Sequence, residues 1–100
     1  MIRALKAAPG PSEKAEWSVY IARCGDGSLY TGIAKDVEAR LKCHNAGRGA
    51  AYTRAHRPVR ELYREVGLTR AEALVREAKI KALPRPLKVK LARAGTEPRA

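Results

Sequence analysis

Two tyrosines, an arginine, a histidine and a glutamate stand in this chain at spacings suited to phosphodiester chemistry. Tyr20 and Tyr30 are ten residues apart in the stretch WSVYIARCGDGSLYTG, Trp17 to Gly32. Arg40 and His44 lie one helical turn apart in DVEARLKCH, and Glu77 lies in AEALVREAKIKAL. Hydrolysis of a phosphodiester needs a group that orients or deprotonates the attacking water. It also needs positive charge against the pentavalent state and a Lewis acid near the scissile oxygens. Arg40 suits the second of these roles, because a guanidinium fork matches a phosphate. One glutamate, with waters and phosphate oxygens, suffices to hold a Mg²⁺ that keeps most of its hydration. A tyrosine is a poor base at its ordinary pKa of about 10. A neighbouring cation is expected to lower that value.

The elements that must position these groups follow from local pattern. Trp17 to Gly32 reads as two short strands joined by the turn Gly25-Asp26-Gly27, since Val, Ile, Tyr and Trp favour extended backbone and glycine supplies positive φ. Two registers are open. With a three-residue loop Ala22 faces Tyr30, and Tyr20, Ala22, Tyr30 and Gly32 share one face of the sheet. With a two-residue loop the tyrosines point to opposite sides, because a one-residue slip flips every side chain. Asp36 is a suitable N-cap for a helix over Val37 to Ala46. Residues 47–58, GRGAAYTRAHRP, read as a basic, glycine-containing loop. Val59 to Glu65 alternates as a third strand. Thr69 with Glu72 forms a capping box that opens a helix running to about Leu83, where Pro84 stops it. Pro86 fits the first turn of a last helix over Leu87 to Ala94, with Gly95 as its stop. Residues 1–15, with Pro9-Gly10-Pro11, read as a flexible arm ahead of a domain at 16–95, and residues 96–100 as a frayed tail. The expected fold is α+β: a small three-stranded antiparallel sheet flanked by helices, in the order β-β-α-β-α-α.

Composition narrows the class of partner. The chain has 100 residues, 45% of them hydrophobic, no Phe, and 21 Lys+Arg against 10 Asp+Glu, a net charge of +11. That is enough for one thin-cored domain, and so much positive charge on it points to a polyanion, nucleic acid first. Cys24 and Cys43 lack the spacing and companion ligands of a zinc site. A disulfide is compatible with the sequence, and a reduced, cytoplasmic setting is the simpler reading. No apolar run approaches a membrane span and no secretory signal is visible, so no membrane partner is expected.

Ordinary readings stand beside the chemical one; Tyr20 and Tyr30 also fit an ordinary hairpin with two half-buried rings. Arg40 and His44 fall with Val37 and Leu41 on the i, i+3, i+4, i+7 face of the first helix. There Arg40 either pairs with a carboxylate, receives a phosphate, or lies at the rim and reaches water. On the later helix Ala71, Leu74, Val75, Ala78 and Ala82 form the expected apolar face. Glu77 sits at its edge, where the ordinary reading is an exposed i,i+4 pair with Lys81.

Taken together, the ordered set resembles the GIY-YIG endonuclease superfamily in its small stand-alone bacterial form. The GIY-like triplet is Ser18-Val19-Tyr20 and the YIG-like triplet is Tyr30-Thr31-Gly32. The family's helical arginine matches Arg40. The histidine of the stand-alone branch matches His44, and the metal-holding glutamate matches Glu77. The resemblance spans roughly Glu16 to Gly95. It implies a three-stranded antiparallel sheet flanked by helices and divalent-metal-dependent cleavage of DNA with one Mg²⁺ or Mn²⁺. In the roles it implies, a tyrosine, here Tyr20 with His44 assisting, orients or deprotonates water, Arg40 stabilises the phosphate and Glu77 binds the ion. Family members differ over which tyrosine acts. The sequence departs from the pattern at Ser18 and Thr31, at Ile33 where the excision-repair relatives have lysine, and at Ala51 where the stand-alone branch often does. Lys35, Arg48, Arg54 or Lys79 are candidates to replace those cations.

The basic residues sketch a surface for DNA, including branched or nicked DNA. Arg48, Arg54, His56 and Arg57 cluster before the third strand, and Arg85, Lys88, Lys90 and Arg93 decorate the last helix. Tyr52 either stacks on a base or packs against the sheet edge. Phosphate contacts would make binding salt-sensitive and weakly sequence-selective. With no added recognition segment, structure-selective or non-specific cleavage is expected, in DNA repair or recombination, with an unidentified protein partner as one route to selectivity. The alternative is a non-catalytic nucleic-acid-binding module that keeps the fold.

Overall fold

The computed structural model describes residues 14–96; the expected arm up to residue 13 and tail from 97 lie outside the described residues. Strand β1 (Trp17–Arg23) is the centre of a three-stranded antiparallel sheet of order β2-β1-β3, with β2 at Leu29–Ala34 and β3 at Arg60–Leu68. Having neighbours on both edges and helices on both faces, β1 buries five successive residues, Ser18 to Ala22. Helix α1 (Val37–Asn45) follows β2, and α3 (Arg70–Lys81) and α4 (Arg85–Thr96) follow β3. This is the expected α+β architecture, with one added element. The stretch expected as loop between α1 and β3 contains a short helix, α2, at Ala51–Ala55. Its N-cap Ala50 makes no side-chain cap bond, so the sequence carries no start signal for it.

The hairpin takes the three-residue loop. Cys24 N–H donates to Ser28 C=O at 2.8 Å and Gly27 N–H to Cys24 C=O at 2.9 Å, with Gly27 at φ 88°. Glycine occupies that left-handed position without a Cβ penalty. Ala22 therefore pairs with Tyr30 and Tyr20 with Gly32, so both tyrosines share a face. The side chains of that face, Tyr20, Ala22, Cys24 and Ala34, pack with Val37 and Leu41 of α1 and with Val59. Val19 and Ile21 point the other way and pack with Ile80 of α3, Tyr63 of β3 and Leu91 of α4. Each face carries an arginine clamp. Arg64 of β3 binds Glu61 and, at 2.7 Å, Glu38 of α1, while Arg76 of α3 binds Glu65 of β3 at 2.9 Å.

Several boundaries and one face differ from expectation; α1 ends at Asn45 rather than Ala46 and β3 begins at Arg60 rather than Val59. Strand β3 runs to Leu68, not Glu65, because Trp17 at the start of β1 still pairs with Leu68. Helix α3 ends at Lys81 with Ala82 as its cap, just before the Leu83-Pro84 stop. Helix α4 starts at Arg85 and runs through Gly95 to Thr96; a glycine near a helix end costs only about 1 kcal/mol and by itself stops nothing. The buried face of α3 is Ala73 and Ile80, with Arg76 and Glu77 half-buried between them, while Leu74 and Val75 are exposed. The sheet is narrow and meets one stripe of the helix: Ile80 fills the gap over Val19 and Ile21, and the small Ala73 permits close approach. Counting apolar residues around the helix picks the wrong stripe. The capping box at Thr69 and Glu72, and Asp36 accepting from Ala39 N–H at 3.0 Å, are as expected.

Candidate active site

Tyr20 is the centre of a buried polar row. Its ring crosses β2 at Gly32, where an added Cβ would lie 2.6 Å from the hydroxyl oxygen, and it is 1% exposed. Its hydroxyl lies 3.0 Å from His44 Nε2. His44 is fully buried because α1 turns its last buried position under the sheet, and its other nitrogen, Nδ1, lies 2.7 Å from Thr53 Oγ1 of α2. Thr53 donates onward to the Ala50 carbonyl at 3.0 Å. Tyr30 stands beside this row, its ring centroid 5.3 Å from that of His44 and 6.4 Å from that of Tyr20.

Arg40 and Glu77 act on the same phenol from different helices. Arg40 sits at the exposed rim of α1, and its positive charge acts on the Tyr20 phenol. Among the described residues no carboxylate forms an ion pair with it. Of the three readings open to Arg40, a carboxylate partner is not found among the described residues, and its exposure puts it at the rim, open to an anion. Glu77 on α3 is only 19% exposed at its side chain, so it is not the solvated glutamate of the ordinary reading, although Lys81 does lie 3.3 Å from its Oε2. Its charge is felt at Tyr20.

The electrostatics correct one expectation. The Tyr20 pKa is pushed up to about 12: burial is the largest cause, Tyr30 adds to it, and the opposing effect of Arg40 is too small to win. Removing the phenol from water disfavours phenolate more than one rim cation favours it. Tyr20 is therefore a neutral phenol at physiological pH. His44 moves the other way. Burial, reinforced by Arg40, holds its pKa below the ordinary imidazole value, so it too is neutral. A neutral hydroxyl and a neutral imidazole in hydrogen-bond contact form a proton-accepting pair.

The donor set also bears on a metal ion. Among the described residues no group of three or more His, Cys, Asp or Glu is assembled to hold one. A single half-buried carboxylate whose charge reaches the phenol fits a hydrated Mg²⁺ or Mn²⁺ that takes its remaining ligands from water and phosphate, and it does not fit an ion that needs a full protein cage.

The expected basic surface divides. Lys35 lines the cleft that Arg40 and Cys43 border, and pairs with Glu16 at 3.3 Å. Arg54 and Arg57 border a second opening with Asn45, where Arg57 Nη1 donates to the Asn45 carbonyl at 3.3 Å. Arg48 is exposed in the loop between α1 and α2. Arg85 is drawn onto the hairpin tip, Nη2 donating to the Gly27 carbonyl at 3.0 Å. Lys79 and Lys88 form no ion pair among the described residues and lie out on α3 and α4. Tyr52 stacks between Tyr30 and His56, at centroid distances of 6.4 and 4.2 Å, and is 43% exposed. It is neither a lone stacking ring nor a buried one. Both cysteines are free.

Sequence reasoning missed the residues that hold the pocket shut. Thr53 is fully buried in a stretch read as surface loop. Tyr52 Oη donates to Ser28 Oγ at 2.5 Å, and His56 Nδ1 donates to the Tyr52 carbonyl at 2.6 Å while its Nε2 faces Asp26 at 3.3 Å. These contacts clasp α2 to the hairpin tip. The hydrogen bonds from the Ser28 hydroxyl and N–H hold the Asp26 carboxyl below its usual range. The available signal was a buried histidine's need for a partner on its second nitrogen.

Comparison with known proteins supplies the remaining observation. The family model described as the GIY-YIG catalytic domain matches residues 16–90. The UPF0213 proteins of Staphylococcus aureus strains Mu3 and N315 are each 55% identical over 73 residues, covering 73% of this chain and 89% of theirs. The solution structure of the UPF0213 protein BH0048 from Bacillus halodurans is 40% identical, with a TM-score of 0.52, over 80% of this chain and 86% of that one. No described helix is long and apolar enough to cross a membrane.

Proposed function

The chain belongs to the GIY-YIG family, and from that premise we propose that it is a divalent-metal-dependent endonuclease hydrolysing DNA phosphodiester bonds. It acts structure-selectively or without sequence preference, on branched or nicked DNA in repair or recombination, in the cytoplasm. The observation that carries the reading is the Tyr20 hydroxyl held 3.0 Å from a neutral, buried His44 with Arg40 beside it.

In this mechanism the oxygen of a water attacks phosphorus and its proton passes to Tyr20 Oη, while the proton already on Tyr20 passes to His44 Nε2. This relay removes the obstacle of a phenol whose own pKa is too high to act alone. Arg40 stabilises the charge that gathers on the non-bridging oxygens, and the leaving oxygen is protonated from solvent. Tyr30 lines the pocket wall. Glu77 would hold the Mg²⁺ or Mn²⁺, which when bound supplies positive charge beside the scissile oxygens. Lys35, Arg48, Arg54, Arg57, Lys79, Arg85 and Lys88 would grip the flanking phosphates. Release of condensed counterions then makes affinity fall steeply with salt.

The test incubates nicked, branched, single-stranded and duplex DNA with Mg²⁺ or Mn²⁺ and the wild type, Arg40→Ala or Glu77→Ala. Wild type is expected to cut, and Glu77→Ala to bind DNA nearly unchanged but not cut, because it loses a carboxylate and no positive charge. Binding without cleavage by the wild type under either metal would instead make the chain a non-catalytic nucleic-acid-binding module, as the absence of the family lysines at Ile33 and Ala51 would then explain.

A further inference from the structure

We propose that Thr53 is the positioning residue that sets the tautomer of His44, fixing the proton on Nδ1 and leaving Nε2 bare toward Tyr20. The inference rests on the Tyr20–His44 pair described under the proposed function, and goes beyond it to the part that makes the pair directional.

Donors and acceptors decide the assignment. A backbone carbonyl only accepts, so the 3.0 Å contact between Thr53 Oγ1 and the Ala50 carbonyl places the threonine proton there. Threonine in a helical turn commonly bonds back to the carbonyl three residues before it. With its proton committed, Oγ1 can only accept from His44 at 2.7 Å, so Nδ1 carries the hydrogen. Nε2 then has a lone pair and no hydrogen, and Tyr20 donates into it at 3.0 Å. The opposite assignment would set two oxygen lone pairs against each other at Ala50 and leave the Tyr20 proton to find another acceptor. His44 and Thr53 are fully buried, so water does not repair a wrong assignment between them. No buried side-chain polar atom among the described residues lacks a partner.

Two features keep Thr53 in place. The loop passes over the imidazole at Gly49, where an added Cβ would collide with His44 Nδ1. The far side of α2 is clasped to the hairpin tip through Tyr52 to Ser28 and His56 to Asp26. A five-residue helix, too short to be stable alone, thus carries one hydroxyl to one nitrogen.

The experiment reads the ring directly. In ¹⁵N-labelled protein at neutral pH, long-range ¹⁵N–¹H correlations distinguish protonated from bare ring nitrogens. The chain has two histidines, so His56→Gln assigns them. The expected wild-type His44 has Nδ1 protonated and Nε2 bare; a His44 with its proton on Nε2 overturns the proposal without any variant. Thr53→Val, nearly the same shape without the hydroxyl, is expected to mix the tautomers and lower kcat by about 10- to 100-fold with KM unchanged, the size seen for lost orienting partners. Thr53→Ser is expected to restore both. A Thr53→Val chain that keeps the Nδ1–H ring and the wild-type rate overturns the proposal. If Thr53→Val does not fold, the wild-type ring alone decides. A wild type that cuts no DNA yet shows the Nδ1–H ring removes the endonuclease reading and leaves the role of Thr53 in setting the tautomer standing.

Discussion

The two faces of the sheet are built on different principles. The face under α3 and α4 is closed by Val19, Ile21, Ile80 and Leu91, aliphatic groups that need only to fit and to leave water. The face under α1 and α2 buries Tyr20, His44 and Thr53, three polar groups in one row, each satisfied by the next. Both faces use the same outer device, an arginine clamped to carboxylates, so the interior alone differs. Burial energy on the first face scales with area and tolerates exchange. On the second, losing any member leaves its neighbour unpaired, which costs more than the bond contributed. The aliphatic face holds by packing alone, while the other adds a buried polar row to its own apolar cluster.

The comparison breaks most visibly at Arg40. Arg40→Ala is expected to lower cleavage by about 10²–10³-fold with the melting temperature unmoved, the size expected for one lost transition-state donor; a large drop in melting temperature would mean the polar face also carries the fold. Ile80→Ala is the mirror case. It should cost about 2–5 kcal/mol of unfolding free energy in denaturant titration and leave the rate per folded molecule intact. Tyr20→Phe sharpens the contrast within the polar face. It should destabilise by about 1 kcal/mol or more through the unpaired Nε2, and abolish cleavage if the proton relay operates.

On the polar face, acid should act through His44. The pKa of His44 is lower in the folded chain than in the unfolded one, so the unfolded chain binds the proton first. Its contribution to stability is complete above the ordinary imidazole value of about 6.5 and is lost as pH falls toward and through the folded value. Cleavage by the folded chain should fall as pH drops through the folded value, since imidazolium accepts nothing. His44→Gln should flatten the stability profile, which pH-stepped denaturation measures. Tyr20 gives the converse sign: its pKa is raised, so the related stability is present below pH 10 and declines as pH rises through about 12. The smallest effect is expected at Leu74→Gln, within about 0.5 kcal/mol, because the side chain is 40% exposed on the outside of α3.

Legibility followed the same division. Short-range chemistry was open to reading: the Asp36 cap, the Thr69–Glu72 capping box and the order of strands and helices all follow from neighbouring residues. The shared face of Tyr20 and Tyr30 was legible only conditionally, through loop length, and Gly27 at positive φ supplied the condition. What escaped depends on contacts across the fold. No periodicity favours Ala73 over Leu74 until Ile80 is placed on Val19 and Ile21. No cap and too little length mark Ala51–Ala55 as a helix, since tertiary clasps hold it. Thr53 looked like any hydroxyl in a basic loop, because the nitrogen it serves lies nine residues earlier on another element. Proximity to Arg40 suggested a lowered tyrosine pKa, and burial, invisible in a local reading, reversed the sign.

Gly32 bears no functional group, yet the phenol of Tyr20 occupies the volume where its first side-chain carbon would go. Every possible exchange at that codon adds matter, so the position has no conservative neighbour, unlike Tyr30 or Arg40 beside it. In a saturation screen scored for cleavage, column 32 should be blank from alanine to tryptophan. A fold of this build guards an empty space as strictly as any side chain.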